Sequence, residues 1–361
     1  MASNANDVDT NTGSAPGVAE KKELLSQETN AGAAAAPVPA AAILTEEKTE
    51  DPLAPENKAE EATAAVAAAP IPAATGPAAT STTNPTWPET SPDHPLTTFF
   101  ASISALTKEA EYNEIYGVTL SASTPFHTKL ILQKFLRANA NDLPKAKEQL
   151  LETLKWRKEF DPTRAAAESF DRERFGGLGY VVELQGVPNS VNVKDVATFN
   201  IYGAVKDNRK TFGDLEGFLR WRVGLMERSV RKLDLSNATQ PIPDYGEGPD
   251  PYQGFQIHDY LQVSFLWPDP LVRVASKKTI EVVGRYYPET LSRKIFVNVP
   301  AIMGWMFQAM KKFVAKETVS KFVVVSYGEQ LVAELGQGVP KVYGGSAGPL
   351  TEIGEGVNLK D

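Results

Sequence analysis

Segments typical of strands and segments typical of helices alternate through most of the second half of the chain. The strand-like segments are short and rich in valine, isoleucine and aromatic residues. Such alternation favours an α/β fold with a mostly parallel sheet, because helices commonly supply the crossovers between parallel strands. The strand segments are YVVEL, VATFNIYG, GFQIHDYL, KIFVNVP and KFVVVSYG; the helical ones are TFGDLEGFLRWRVGLMERSVRKL, LVRVASKKTIEVVGRYYP and AIMGWMFQAMKKFVAKE.

A purely helical pattern precedes this region. In NDLPKAKEQLLETLKW, Asp142 is placed to cap a helix and Pro144 falls in its first turn. Apolar residues then recur at helical spacing. We therefore predict a helical N-terminal lobe over residues 93–168, an α/β domain over 169–350 and a C-terminal tail over 351–361.

The first 92 residues have a different composition, rich in alanine, proline and threonine, and we predict that they are disordered. Residues 1–90 hold 13 acidic and 4 basic residues, whereas the rest holds 32 acidic and 33 basic ones. The folded part is thus near neutral, so no nucleic-acid partner is expected.

Several classes of site are absent from the sequence. There is no cysteine, which excludes disulfides, thiolate metal sites and thiol nucleophiles. The GxxxxGK[ST], GxGxxG and GxSxG motifs are missing, and three histidines are too few for a typical zinc enzyme. We expect a binding protein rather than an enzyme. Without a signal-peptide pattern or a long apolar run, we expect a cytoplasmic protein.

The segment GFQIHDYL, residues 254–261, is unusual for a core strand. Alternate residues of a strand face the same way, so one face would carry Gln256, His258 and Tyr260. The other would carry Ile257, Asp259 and Leu261. A buried phenol or imidazole costs about 1–3 kcal/mol if unpaired. These side chains therefore need partners, either one another or the polar groups of a ligand.

Four segments resemble the CRAL-TRIO phosphatidylinositol-transfer family. FLRANANDLPKAKEQLLETLKWRKEF is similar to its N-terminal helical signature; VVGRYYPETLSRKIFVNVP, KETVSKFVVVSYG and VPKVYGG are similar to its lipid-binding domain. The similarity extends over residues 95–350. It implies a helical N-terminal lobe and an α/β lobe, whose sheet floors an apolar pocket closed by a gate helix. AIMGWMFQAMKKFVAKE, residues 301–317, is the expected gate helix, although its pattern also fits an ordinary core helix.

The resemblance also implies a phosphatidylinositol site. Glu289 in YYPE would lie near the inositol, and Thr318 and Lys321 in TVSK would contact the head group. Each of these could instead be a surface charge or a helix cap. Phosphatidylcholine-binding members carry small hydroxyl residues where this chain has Gly254 and Gln256, so binding of choline lipids is not expected.

The IHDY tetrapeptide resembles a fungal haem-binding branch of the family. That likeness implies ferric haem b with Tyr260 as the axial iron ligand and His258 near the iron, held without covalent attachment. The matching neighbours are Tyr202, Arg222 and Lys294. Each has an ordinary alternative: a core aromatic for Tyr202, a solvated helix charge for Arg222 and an exposed strand end for Lys294, which is expected to begin its strand.

Three functions are therefore open. The first is a carrier of haem or phosphatidylinositol that meets membranes peripherally and transiently, with the endoplasmic reticulum among the candidates. The second is a phosphatidylinositol-transfer protein without haem, and the third is a haem enzyme such as a peroxidase. The family resemblance implies a monomer.

Overall fold

A computed structural model describes residues 85–263, 269–300 and 320–361. The helices are α1 (Pro95–Ala101), α2 (Ile103–Ala110), α3 (Pro125–Ala138), α4 (Leu143–Phe160), α5 (Pro162–Ala167), α6 (Arg172–Phe175), α7 (Asn208–Phe212), α8 (Leu215–Lys232), α9 (Pro270–Tyr286), α10 (Leu331–Leu335) and α11 (Leu350–Ile353). The strands are β1 (Glu114–Ile115), β2 (Val118–Thr119), β3 (Ser169–Asp171), β4 (Gly179–Leu184), β5 (Asp195–Ile201), β6 (Gly254–Asp259), β7 (Leu291–Val297), β8 (Phe322–Val324) and β9 (Asn358–Lys360).

The central sheet has five strands in the order β4-β5-β6-β7-β8. Strand β4 is antiparallel to β5, and the remaining neighbours are parallel. Helices α8 and α9 precede β6 and β7, as the alternating pattern predicts. The predicted α/β fold with a mostly parallel sheet is confirmed. The predicted gate helix, residues 301–317, lies outside the described residues.

The two faces of the sheet bury different side chains. One face packs Phe199, Phe255, Ile257 and Ile295 with apolar residues of α10. On the other face, Thr198 of β5 bonds to Ser229 of α8, with 2.7 Å between their hydroxyl oxygens. The second face thus carries polar side chains under helix α8, and the candidate site lies there.

Helices α1–α4 form the N-terminal helical region. Asp142 caps α4 by accepting a hydrogen bond from the Lys145 amide, as its position in the sequence predicts. This region is joined to the α/β lobe by buried charges. Arg157 of α4 donates to Glu227 of α8 at 2.7 Å. Lys134 of α3 donates to Asp250 at 2.6 Å, and both side chains are fully buried.

A two-stranded parallel sheet, β3-β9, lies outside the central sheet. Strand β3 follows α5, and β9 belongs to the segment expected to be a tail. Arg228 of α8 fixes the same segment by donating to Glu355 and Asn358 at 2.8 and 3.0 Å. Residues 355–360 are therefore tied both to α8 and to the start of the α/β lobe.

Candidate functional site

Two rows of paired residues cross the sheet at the site. In the first row, Thr198 of β5, Gln256 of β6 and Lys294 of β7 are register partners. In the second, Asn200, His258 and Phe296 are paired in the same way. Paired residues of neighbouring strands point to the same face, so the register gathers these side chains under α8. The predicted shared face of Gln256 and His258 is confirmed.

An aromatic cluster surrounds the end of β6. His258 Nδ1 lies 3.1 Å from the hydroxyl oxygen of Tyr202, which directly follows β5. The Tyr202 ring centroid is 5.4 Å from that of Tyr260 and 5.5 Å from that of His258. Tyr260 is buried and packs with Phe296 and Val299. The structure therefore brings Tyr202, His258 and Tyr260 together.

Arg222 and Lys294 are buried beside this cluster. Arg222 lies on α8 and is 3% exposed, whereas Lys294 is 2% exposed. The alternatives of a solvated helix charge for Arg222 and an exposed strand end for Lys294 are thus wrong. Lys294 also lies in the middle of β7 rather than at its start, because the strand begins at Leu291.

Neither cation has a carboxylate within ion-pair distance among the described residues. Arg222 donates through Nη2 to Gln256 Oε1 at 3.2 Å, while its Nε and Nη1 have no partner in the described structure. The Lys294 ammonium lies 5.8 Å from the Phe296 ring centroid. Unpaired buried cations are costly, so this pair is suited to an anionic ligand.

Burial and mutual repulsion shift the acid–base equilibria of these groups. Burial, reinforced by Arg222, holds the pKa of Lys294 well below its ordinary value. Burial also lowers the pKa of Arg222. The pKa of His258 is held well below its ordinary value by burial, then by Lys294 and Arg222. The imidazole is therefore neutral near pH 7, and its Nε2 has no partner among the described residues.

Burial has the opposite effect on the phenols, since it disfavours their anions. It raises the pKa of Tyr260 well above the ordinary value, with a further contribution from Tyr202. It also raises the pKa of Tyr202, against an opposing effect of Arg222. Both phenols are protonated near neutral pH in this environment.

A cavity of about 10 Å³ adjoins Arg222, Gln256, His258 and Lys294, together with apolar Met226 and Val283. That volume is room for roughly one water molecule. A larger ligand therefore requires the surrounding side chains to move apart.

Two further residues shape the site, and the sequence interpretation assigned them no role there. Asn200 donates through Nδ2 to Gln256 Oε1 at 3.2 Å. Gly203 follows Tyr202, and a Cβ added there would lie 1.7 Å from the Leu261 carbonyl oxygen. A glycine directly after a strand-end aromatic was the only available signal for this close backbone contact.

The predicted lipid residues lie elsewhere. Glu289 Oε2 accepts a hydrogen bond from Gln253 at 2.9 Å and lies 3.6 Å from Arg137 Nε. Lys321 Nζ is 3.9 Å from Glu289 Oε1 and donates to the Leu291 carbonyl at 2.9 Å. The structure thus brings Glu289 and Lys321 together, while Thr318 lies outside the described residues.

Comparison with known proteins supports the same family. The CRAL/TRIO N-terminal domain profile matches residues 95–152, and the CRAL/TRIO domain profile matches residues 206–345. A Phaeosphaeria nodorum protein named phosphatidylinositol transfer protein SFH5 is 69% identical over 271 residues, covering 75% of this chain and 82% of the relative. A Cryptococcus neoformans protein of the same name is 49% identical over 269 residues, covering 72% and 89%.

A solved structure agrees with these matches. The crystal structure of Sfh5 superposes with a TM-score of 0.61 at 27% identity, covering 72% of this chain and 90% of the solved one. The family resemblance predicted from four sequence segments is confirmed, and the haem-binding branch stays a prediction. The chain belongs to the CRAL/TRIO family.

Proposed function

We propose that this protein binds phosphatidylinositol and transfers it between membranes. The main support is the high sequence identity between this chain and relatives named phosphatidylinositol transfer proteins. The proximity of Glu289 and Lys321 adds to this, because a carboxylate accepts hydroxyl protons and an ammonium pairs with phosphate. The protein acts as a carrier rather than an enzyme. It works as a cytoplasmic monomer that meets the endoplasmic reticulum or other membranes peripherally and transiently.

Transfer of labelled phosphatidylinositol between vesicles tests this function. Glu289→Ala and Lys321→Ala should each slow transfer severalfold, since each removes a group expected at the head group. Lys277→Ala, at an exposed position on α9, is the matched control. Unchanged transfer in both site variants, with folding preserved, contradicts the lipid assignment.

We further propose that the same lobe binds one ferric haem b. The observation that favours it is a Tyr202–His258–Tyr260 cluster next to a cavity that His258 lines together with Arg222 and Lys294. Both cations are buried and have no carboxylate within ion-pair distance among the described residues. Tyrosine is a known axial ligand of haem iron, and the two propionates of haem match two buried cations in charge.

The side chains at this site provide hydrogen-bond donors and iron ligands of the kind that haem requires. Arg222 Nε and Nη1 and His258 Nε2 are buried polar atoms without partners in the described structure, and such atoms call for a polar ligand. Tyr260 would hold the iron, with His258 near it, and Arg222, Lys294 and Tyr202 would hold polar groups of the haem. Bound iron(III) would stabilise the tyrosinate and so lower a phenol pKa that burial raises.

The main alternative is phosphatidylinositol transfer without haem, with these polar groups lining the lipid head group. The same buried cations, which have no carboxylate partner among the described residues, favour it, since a phosphate also pairs with Arg and Lys. Peroxidase activity would be incidental, because the sequence provides no dedicated acid–base pair for peroxide.

The ultraviolet-visible spectrum of protein purified from haem-replete cells separates the two. We expect a Soret band with high-spin ferric features that is shifted or lost in Tyr260→Phe. Tyr327→Phe is the control, because Tyr327 is exposed. A colourless wild-type protein contradicts haem binding and leaves lipid transfer as the function.

A further inference from the structure

Gln256 makes the hydrogen bond that fixes the orientation of Arg222. Its Oε1 lies 3.2 Å from Arg222 Nη2 and 3.2 Å from Asn200 Nδ2. Its Nε2 lies 3.7 Å from the sulfur of Met226 on the same helix as Arg222. Asn200 and Gln256 belong to the sheet face under α8, whereas Arg222 and Met226 belong to α8 itself, and Gln256 is buried between them.

The surroundings allow only one orientation of the Gln256 amide. Arginine and the asparagine NH₂ are donors, so the group between them has to be an acceptor. A flipped amide would place its own NH₂ against two donors and would lose both hydrogen bonds. Asn200 is itself held, because its Nδ2 also donates to the Ile257 carbonyl at 3.1 Å. The Gln256 oxygen is therefore directed at Arg222 Nη2.

This contact divides the guanidinium into two parts. Nη2 is used by the protein, whereas Nε and Nη1 have no partner among the described residues. Nη1 carries two N–H donors and Nε carries one, and because Nη1 lies on the Cδ side of the guanidinium these two nitrogens donate in different directions, each to its own acceptor oxygen. Lys294, the register partner of Gln256, borders the same cavity. An amide, unlike a carboxylate, satisfies Nη2 without cancelling the charge of Arg222.

We propose that Gln256 is a positioning residue that selects ligands with a free acid group. It fixes Arg222 by one nitrogen, which leaves the Nη1 and Nε donors and the positive charge for a carboxylate of the bound porphyrin. This inference rests on the proposed haem function. The recognised chemistry is an acidic group, which a haem carboxylate or a lipid phosphate could each provide, and the proposal commits to the carboxylate.

The test compares two ligands on haem-free protein: ferric haem, and its dimethyl ester, in which both carboxylates are blocked. Binding is followed by quenching of tryptophan fluorescence. Wild-type protein should prefer haem. Gln256→Glu places a carboxylate against Nη2 and should weaken haem binding at least about tenfold while leaving ester binding within about twofold. Gln240→Glu, at an exposed position, adds the same charge as a control.

A double-mutant cycle shows whether Gln256 acts through Arg222. Gln256→Leu should reduce the preference for haem over the ester in wild-type protein and leave that preference unchanged in Arg222→Met. A merely structural role would weaken both ligands together and would not move their ratio. Thermal unfolding of each variant confirms that it is folded.

Each of the remaining outcomes would contradict either the proposed haem function or the proposed role of Gln256. If wild-type protein binds neither porphyrin, the haem function and this inference both fail. If it binds haem and Gln256→Glu leaves the preference for haem unchanged, only the inference fails. If Gln256→Glu slows phosphatidylinositol transfer but spares haem binding, the acidic group is a lipid phosphate and the proposed carboxylate recognition is wrong.

Discussion

The Tyr343 hydroxyl donates to Asp259 Oδ2 at 2.7 Å, across 84 residues of sequence. Asp259 Oδ1 accepts from the Asn298 side chain at 2.7 Å and from the Leu261 amide at 2.9 Å. Asp259 lies between His258 and Tyr260 in sequence, on the opposite face of the strand. The VPKVYGG segment therefore fixes the end of β6 from behind the candidate site.

Tyr343→Phe should lower the free energy of unfolding by about 1–3 kcal/mol, because a buried carboxylate loses a donor. Urea denaturation measures this loss. Tyr327→Phe removes an exposed hydroxyl and should change little. Equal stabilities of the two variants would show that the Asp259 contact contributes nothing.

Gly203→Ala should be poorly tolerated. Its Cβ would meet the Leu261 carbonyl oxygen at 1.7 Å, so the backbone after Tyr202 would have to move away from the backbone after Tyr260. We expect a loss of about 1–3 kcal/mol in stability. Gly248→Ala is the control, since its added Cβ would make only ordinary contacts, 3.6 Å at the nearest. Thermal melts of the two variants give the comparison, and equal melting temperatures would contradict the predicted clash.

Arg157→Met should destabilise the junction between α4 and α8. Arg157 and Glu227 are fully buried, and Tyr287 also donates to Glu227 at 2.7 Å. Removing one partner leaves a buried charge, at a cost of about 3–5 kcal/mol. Lys155→Met breaks the exposed pair with Glu109 and should cost at most about 1 kcal/mol. If Arg157→Met and Lys155→Met lose similar free energies of unfolding in urea, the buried pair contributes no more to stability than the exposed one.

The lowered pKa of Glu114 predicts that the stability contributed by the junction between α4 and α8 depends on pH. Burial acts to raise the pKa of Glu114, but Arg157 and hydrogen bonds from Gly117 and Tyr112 outweigh it and hold the pKa below the ordinary 4.5. The unfolded state therefore binds this proton more readily. The stabilisation is complete above that ordinary value and is lost as pH falls through the lowered one.

The measurement is urea denaturation of wild type and Glu114→Gln between pH 7 and pH 3. The stability difference should be largest near neutral pH and should shrink in acid, because the folded wild type then has to protonate Glu114. A difference that stays constant over this range would mean that Glu114 does not respond to acid in the folded state.

The central sheet could be predicted from the sequence because the alternation of side chains along a strand is visible within a few consecutive residues. Alternate residues of GFQIHDYL were predicted to share a face of the strand, and the register of β6 with its neighbours agrees. Strands β1, β2, β3 and β9 were missed, because each has only two or three residues and none contains a run of valines like the one that marks the equally short β8. Their pairing depends on tertiary contacts.

The burial of the two cations could not be predicted in the same way. A lysine or arginine is far more often exposed, and nothing in LRWRVG or LSRKIF marks one as an interior residue. The register of Lys294 with Gln256 and the position of α8 over the sheet determine their environment. Those relationships join segments far apart in sequence, so local patterns do not contain them.

The pairing of β3 with β9 also bears on the order of events during synthesis. The Asn358 side chain donates to the Ala167 carbonyl across 191 residues, so this contact cannot form until residue 358 has been translated. Until residues 358–360 leave the ribosome, β3 presents an open strand edge next to α5, and open edges invite pairing with other chains. Nascent chains that stop before residue 355 would therefore be the ones that most need a chaperone.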